Sequence, residues 1–130
     1  MAFGGWPAEA LEFYEGLEAD NSKSYWTSHK AAYQDVVLRP MEALTELLAP
    51  EFGEPKIFRP YRDIRFSTDK TPYKTHIGAT IGRTGYVQFS ADGLAAGAGM
   101  WQLDPARLAR YRAAVAAEPA GPELAATAAR

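Results

Sequence analysis

Residues 56–76 read KIFRPYRDIRFSTDKTPYKTH. The fold turns on this stretch, because helix-like spacing precedes it and strand-like runs follow it. The stretch itself is a poor strand. In alternation, one face would hold Ile57, Arg59, Tyr61, Asp63 and Arg65, and the other Phe58, Pro60, Arg62, Ile64 and Phe66. Charges land on both faces, and Pro60 removes a ladder donor. A short strand followed by an irregular arm, held by its aromatic residues, is expected. Ser67-Thr68-Asp69-Lys70-Thr71-Pro72 is turn chemistry, since short oxygen-bearing side chains bond nearby backbone N–H groups. Thr71 must be extended before Pro72.

The stretch is also a cationic island. Lys56, Arg59, Arg62, Arg65, Lys70 and Lys74 stand against Asp63 and Asp69, a local charge of +4 in a chain whose total is −2. The other residues therefore sum to −6. Such an island faces a negative ligand, a partner, or the protein's own carboxylates.

Upstream, the chain reads as helices. From Pro7, which suits a first turn, Leu11, Phe13, Tyr14 and Leu17 fall on one face, which predicts a helix over about 8–19. Asp20-Asn21-Ser22 stops it and can cap the next. Trp26, His29, Tyr33, Val37, Met41, Leu44 and Leu48 then form one stripe, interrupted at Pro40. The ring pushes Arg39 from helical geometry, so a kink or a new helix is expected there. Pro50 and the following EFGEP segment end the helical half.

Downstream lies a meander. Strands are expected over 75–81, 86–91 and 94–101, joined at Gly82-Arg83-Thr84-Gly85 and at Asp92-Gly93, a tight-hairpin signal. Gly97 and Gly99 within the last strand suggest a bulge or a close approach by backbone, ligand or helix. Asp104-Pro105 then starts a helix with Leu108, Tyr111 and Val115 on its apolar face. Pro119 stops it, and Gly121-Pro122 opens an alanine-rich end. Helices, then strands, then a helix make an α+β fold: N-terminal helices, a central antiparallel meander of about three or four strands, and a C-terminal helix.

A length of 130 residues predicts one domain with a real core. The chain has no cysteine, which excludes disulfides, thiolate catalysis and thiolate-held metals. An acidic balance argues against bulk nucleic-acid binding. MAFGGWPAEALEF carries no signal-peptide pattern, and no apolar run reaches the length of a membrane span. A cytoplasmic soluble protein is the expectation.

The candidate ligand-binding residues are Arg59, Arg62, Arg65, Lys70 and Lys74, since a guanidinium fork grips carboxylate or phosphate with two hydrogen bonds. Asp63 beside Arg62 offers the competing reading, an internal network that sets the shape of the arm. His76, His29 and Asp63 are the catalytic candidates, with Asp69 beside them; catalysis needs two such groups converging on one reacting atom. His29 lies on an apolar stripe, so it is either a buried histidine bonded to a neighbour or a pocket residue facing the basic stretch. Ser67 lacks a serine-enzyme signature. Two histidines without ligand spacing predict no metal site, and no cofactor is expected. Phe58, Tyr61, Phe66 and Tyr73 interleave with cations as single-strand stacking platforms do, but such rings are more often core.

Three segments together resemble a known family. They are Asn21-Ser22-Lys23-Ser24-Tyr25-Trp26 with His29-Lys30 and Tyr33, then FRPYRDIRFSTDKTPYKTHIGA, then GAGMWQLDPARLARYR. The chain from Phe13 to Val115 is similar to the domain of unknown function 2461 family. The resemblance implies a mainly cytoplasmic α+β protein. It marks Arg59, Arg62, Asp63, Arg65, Lys70, Lys74 and His76 as motif positions, and brings no substrate or cofactor with it. Members of that family continue well past the helix holding Leu108 and Val115. A fragment or a lost C-terminal part is therefore expected, and apolar surface so exposed would favour self-association. The leading expectation for function is a cationic pocket for a phosphorylated or carboxylated small molecule. The rival is a non-catalytic interaction or structural module whose Arg/Asp arm is internal scaffolding.

Overall fold

The computed structural model describes residues 2–100 and 102–130. The chain forms two compact units, Met1–Gly99 and Met100–Arg130.

In the first unit, helix α1 (Ala8–Ala19) buries Ala10, Phe13, Tyr14 and Leu17, the face its spacing predicts. Helix α2 (Lys23–Ala32) is capped by Ser22, whose hydroxyl accepts the Tyr25 N–H at 3.1 Å. Such a cap is worth about 1 kcal/mol. A new helix opens at Pro40, as the sequence predicts, but Arg39 is not pushed from helical geometry. A π-helical turn (Tyr33–Leu38) leads into helix α3 (Arg39–Phe52), and Arg39 keeps φ −56° and ψ −46°. The Arg39 N–H donates to the Gln34 carbonyl five residues back. This wider turn relieves the clash between a proline ring and the carbonyl four residues before it. Trp6 donates its indole N–H to the Val37 carbonyl within that turn at 3.0 Å. Pro50 does not end the helix. It lies exposed near the end of α3, where one missing donor matters little, and Gly53 at φ +112° terminates the helix instead.

Strands β1 (Pro55–Ile57), β2 (His76–Ile81), β3 (Gly85–Ser90) and β4 (Gly93–Ala98) form one antiparallel sheet in the order β1-β2-β3-β4. The fold is α+β, with the meander where the sequence predicts it. Ile77 pairs with Phe89 and Ala79 with Val87; these four, with Ile81, face the helices and are buried. Their core partners include Phe13, Tyr14, Leu17, Val37, Met41 and Leu44. His76, Gly78 and Thr80 alternate onto the opposite face. Gly82, at φ +61°, donates its N–H to the Glu54 carbonyl at 2.9 Å and packs against the Phe52 carbonyl. The β2–β3 turn is thereby closed onto the end of α3.

Strand β4 departs from expectation. Among the described residues nothing lies within 4 Å of where a Cβ would stand on Gly97 or Gly99, so no close approach by them explains those glycines. Leu94, opposite buried Phe89, is 55% exposed. The helical layer covers β2 and β3 and leaves the edge strand open. Trp101, read above as the end of this strand, lies outside the described residues.

The second unit packs helix α4 (Pro105–Val115) against helix α5 (Ala120–Ala128). Asp104 caps α4 by accepting the Arg107 N–H at 2.8 Å, and Pro105 opens it. Leu108 and Val115 are half-buried and Tyr111 is exposed. Among the described residues no helix is long and apolar enough to cross a membrane.

Candidate functional site

The β1–β2 ladder continues beyond both strands into the arm, residues 58–75. The Phe58 N–H donates to the Gly78 carbonyl at 2.9 Å, Lys74 to Pro60 at 2.8 Å, and Arg62 to Pro72 at 2.9 Å. Tyr61 bridges Tyr73. Both prolines serve as acceptors, so neither missing donor interrupts the pairing. Phe58 and Pro60 are two positions apart, whereas their partners Gly78 and Lys74 are four apart. The surplus residues form a bulge around Thr75, where the chain bends. Bulges re-aim side chains at strand ends, and this one turns Lys74, Thr75 and His76 toward a common space.

Two devices fasten the arm to the helices. Trp26 stacks on Tyr73 at 4.9 Å and 17°, and meets Tyr61 edge-on at 5.8 Å. The Asn21 side-chain amide then grips the Tyr73 backbone in both directions. Its Nδ2 donates to the Tyr73 carbonyl at 2.9 Å, and its Oδ1 accepts the Tyr73 N–H at 3.1 Å. Tyr73 is left only 6% exposed. The arm is irregular in backbone yet anchored at its midpoint.

The cations divide into three kinds. Arg65 is locked: it forks onto Asp63 with Nε–Oδ1 2.9 Å and Nη2–Oδ2 2.8 Å, and its guanidinium lies 5.6 Å from the Phe66 ring centre. That fork holds the Asp63 carboxyl below the usual carboxylate range. Lys70 donates to the Ile64 carbonyl at 2.7 Å and closes the loop. Neither Arg65 nor Lys70 lines the cavity described below, although the sequence grouped both with the ligand-binding residues.

Arg62 has two roles. Its Nη1 donates to the Thr71 hydroxyl at 2.7 Å, the Thr71 carbonyl at 2.8 Å and the Asp69 carbonyl at 3.3 Å, and lies 3.3 Å from Asp69 Oδ2. Among the described residues its Nε and Nη2 have no partner, which leaves one edge of the fork available. Asp69 accepts the N–H and the hydroxyl of Thr71 at 3.0 and 2.9 Å. These bonds, with Arg62, keep its carboxyl below the usual range.

Lys74 and Arg59 form the third kind. Among the described residues no carboxylate pairs with either one. Arg59 is exposed; Lys74 is half-buried, with its ammonium 5.7 Å from the Phe58 ring centre. Burial, and next the charge of Arg59, lower the Lys74 pKa from its ordinary value.

Arg62, Asp69, Thr71, Tyr73, Lys74, Thr75 and His76 line an open cavity of about 220 Å³. Burial, and then the neighbouring Lys74 charge, lower the His76 pKa from its ordinary 6.5. Both effects favour the neutral imidazole over the charged one. His29 is not part of this site. Its Nδ1–H donates to the Tyr25 carbonyl at 2.8 Å, and its ring stacks on Tyr25 at 3.9 Å. It sits on α2, on the helical side of the sheet, whereas His76 is on the other face. The geometry thus favours the reading of His29 as a histidine bonded to a neighbour. Asp63, tied to Arg65, is likewise absent from the cavity lining.

Asn21 and Thr71 are the positioning residues that sequence reasoning missed. Asn21 was legible only as a helix cap, because its partner lies 52 residues away. Of the interleaved aromatics, Tyr73 is buried against Trp26, Lys56 and Lys74 lie near the Phe58 ring, and Tyr61 and Phe66 are exposed, at 44% and 94%. Among the described residues no group of three histidines or carboxylates could hold a metal ion.

No curated protein and no solved structure matches this chain. A family model described as "Conserved hypothetical protein (DUF2461)" matches residues 9–129, nearly the whole length. The arm and the bulge that carry the cavity lie inside that match, and the chain belongs to the domain of unknown function 2461 family.

Proposed function

We propose that the first unit binds the phosphate or carboxylate group of a small molecule in the cavity beneath the arm. Lys74 and the open edge of Arg62 hold the anion, Arg59 adds positive potential, and His76 performs any proton transfer. The observation that carries this reading is Lys74, a half-buried lysine lining the cavity that has no carboxylate partner among the described residues. Buried charge is normally paired, because desolvation costs more than an unpaired site returns. An anion in the cavity would offset both the burial and the repulsion from Arg59. A volume of about 220 Å³ suits one phosphate or carboxylate head, with the remainder of the molecule outside. Asp69 also lines the cavity, and its charge is already engaged by Thr71 and Arg62. A cytoplasmic setting belongs to the same reading and rests on a chain without cysteine.

Thermal unfolding with phosphate, sugar phosphates, nucleotides and dicarboxylates tests it. A ligand of the native state at about 100 times its Kd adds about 2.7 kcal/mol, a shift of several degrees. Lys74→Met should abolish the shift and leave the ligand-free midpoint equal or higher. A wild-type chain whose midpoint ignores every anion refutes the proposal. The scaffold reading is favoured by a different observation, the Arg65–Asp63 fork and the four contacts of Arg62 Nη1. It predicts that Arg62→Ala lowers the midpoint and that no anion affects either chain.

A further inference from the structure

The tip of the arm carries an aromatic residue that nothing in the first unit covers. Phe66 is 94% exposed, and the loop that presents it is held on every side. Arg65 forks onto Asp63, Lys70 holds the Ile64 carbonyl, the Ser67 N–H donates to the Ile64 carbonyl at 3.3 Å, and Arg62 ties the base to Thr71. An exposed phenylalanine on a preorganised loop, flanked by Arg65 and Lys70, has the composition of an interface anchor.

The same unit contains a surface of complementary chemistry. An open groove of about 770 Å³ runs between α3 and β1. Its floor is Ala49, Pro50, Pro55 and Ile57, and Glu42, Glu46 and Glu54 stand along it without any lysine or arginine among the lining residues. Apolar contact for a ring and carboxylates for flanking cations meet there. The Phe66 tip does not reach the groove of its own chain. The groove contains the Pro55 end of β1, and the arm continues that strand the other way, so the tip lies roughly 25 Å off at 3.3 Å per residue.

We propose that the Phe66 tip of one chain docks in the α3/β1 groove of a second copy, and the reverse, in a two-fold dimer. Groove and tip stand at opposite ends of one ladder, so two copies lying antiparallel satisfy both contacts at once and close the assembly. The Nη1 of Arg65, which has no partner among the described residues, and the ammonium donors that Lys70 keeps beyond its bond to Ile64 here face the glutamates of the partner chain. The proposal is independent of the anion cavity.

Sedimentation velocity from about 10 μM to about 1 mM, the range of weak specific association, tests it. The wild-type mass should rise from 14.2 kDa toward twice that value with concentration, and the rise should shrink in about 1 M salt, where screening reaches 3 Å. Phe66→Ala and, separately, Glu42→Lys with Glu46→Lys should each stay at the monomer mass with unchanged circular dichroism. All of these side chains are exposed, so the fold should tolerate the changes. A wild-type chain that stays monomeric throughout overturns the proposal. So does a dimer that persists in either variant.

Discussion

The grip of Asn21 on Tyr73 gives the sharpest test of how the arm is held. Asn21→Ala removes both hydrogen bonds, at 2.9 and 3.1 Å, and leaves the Tyr73 N–H and carbonyl without those partners. A neutral hydrogen bond contributes about 1 kcal/mol net, and a buried group left unpaired costs about 1–3 kcal/mol. Tyr73 is 6% exposed, so water replaces the lost partners poorly. A loss of about 2–3 kcal/mol follows for the pair. In a unit of this size each kcal/mol moves the midpoint by about 4 °C, so the variant should melt roughly 8–12 °C lower. Circular dichroism melting measures it, and the near-ultraviolet signal of the Trp26–Tyr73 stack should weaken before global unfolding. Asn21→Asp adds a check on sign. The new carboxylate still accepts the Tyr73 N–H but opposes the Tyr73 carbonyl, and only its protonated form can donate to that oxygen. Its folded pKa should therefore rise above the unfolded value of about 4, so the restored bond is present below that value and lost as pH rises through the folded pKa. An Asn21→Ala midpoint within about 2 °C of wild type would refute the reasoning and leave the aromatic stack as the sole anchor.

The remaining predictions concern the turn, the loop and the histidine. Gly82→Ala drives a Cβ into the Phe52 carbonyl at φ +61°, and backbone cannot yield as a side chain would. A loss of at least about 2 kcal/mol is expected by denaturant titration, and a variant as stable as wild type removes that contact from the account. Arg62→Ala should raise amide exchange and protease cleavage across residues 63–71 while protection in β2 and β3 is unchanged; equal exchange in the loop would show that Asp69 and Thr71 suffice without it. The His76 imidazole should titrate below 6.5 by NMR. Since the fold favours the neutral ring, this contribution is present above pH 6.5 and is lost as pH falls through the folded pKa. Lys74→Met should raise that pKa, and so should phosphate if it binds beside the ring; a His76 titration indifferent to Lys74 would separate the two side chains.

Most of the fold was legible because it is written in local repeats. The face of α1, the cap at Ser22, the meander from β2 to β4 and the Asp104-Pro105 start all depend on residues within a few positions of one another. The misreadings came where a nonlocal or compensating effect overrode a local rule. A new helix does open at Pro40, but the ring was also expected to push Arg39 from helical geometry, and a wider turn of backbone accommodated it instead. Gly97 suggested a neighbour, but β4 is an edge strand, and among the described residues nothing stands within 4 Å of where a Gly97 Cβ would be.

The candidate site was legible as a region and not as a set of partners. The cationic island from Lys56 to Lys74 is plain in the sequence, and so is the turn chemistry of residues 67–72. Which cation is free depends on where each head group ends. Arg65 and Lys70 terminate on Asp63 and on the Ile64 carbonyl, whereas Lys74 and Arg62 are among the residues that line the cavity.

The sequence by itself determined the element order, the inward faces and the location of the charged arm, because periodicity and capping act over one or two turns of chain. Only the tertiary structure decided that Asn21 holds Tyr73, that a bulge turns His76 toward Lys74, and that His29 lies on the other side of the sheet. Those facts depend on register and on contacts across about fifty residues, and pairwise charge and hydrogen bonding carry no record of their partner in the local order of residues.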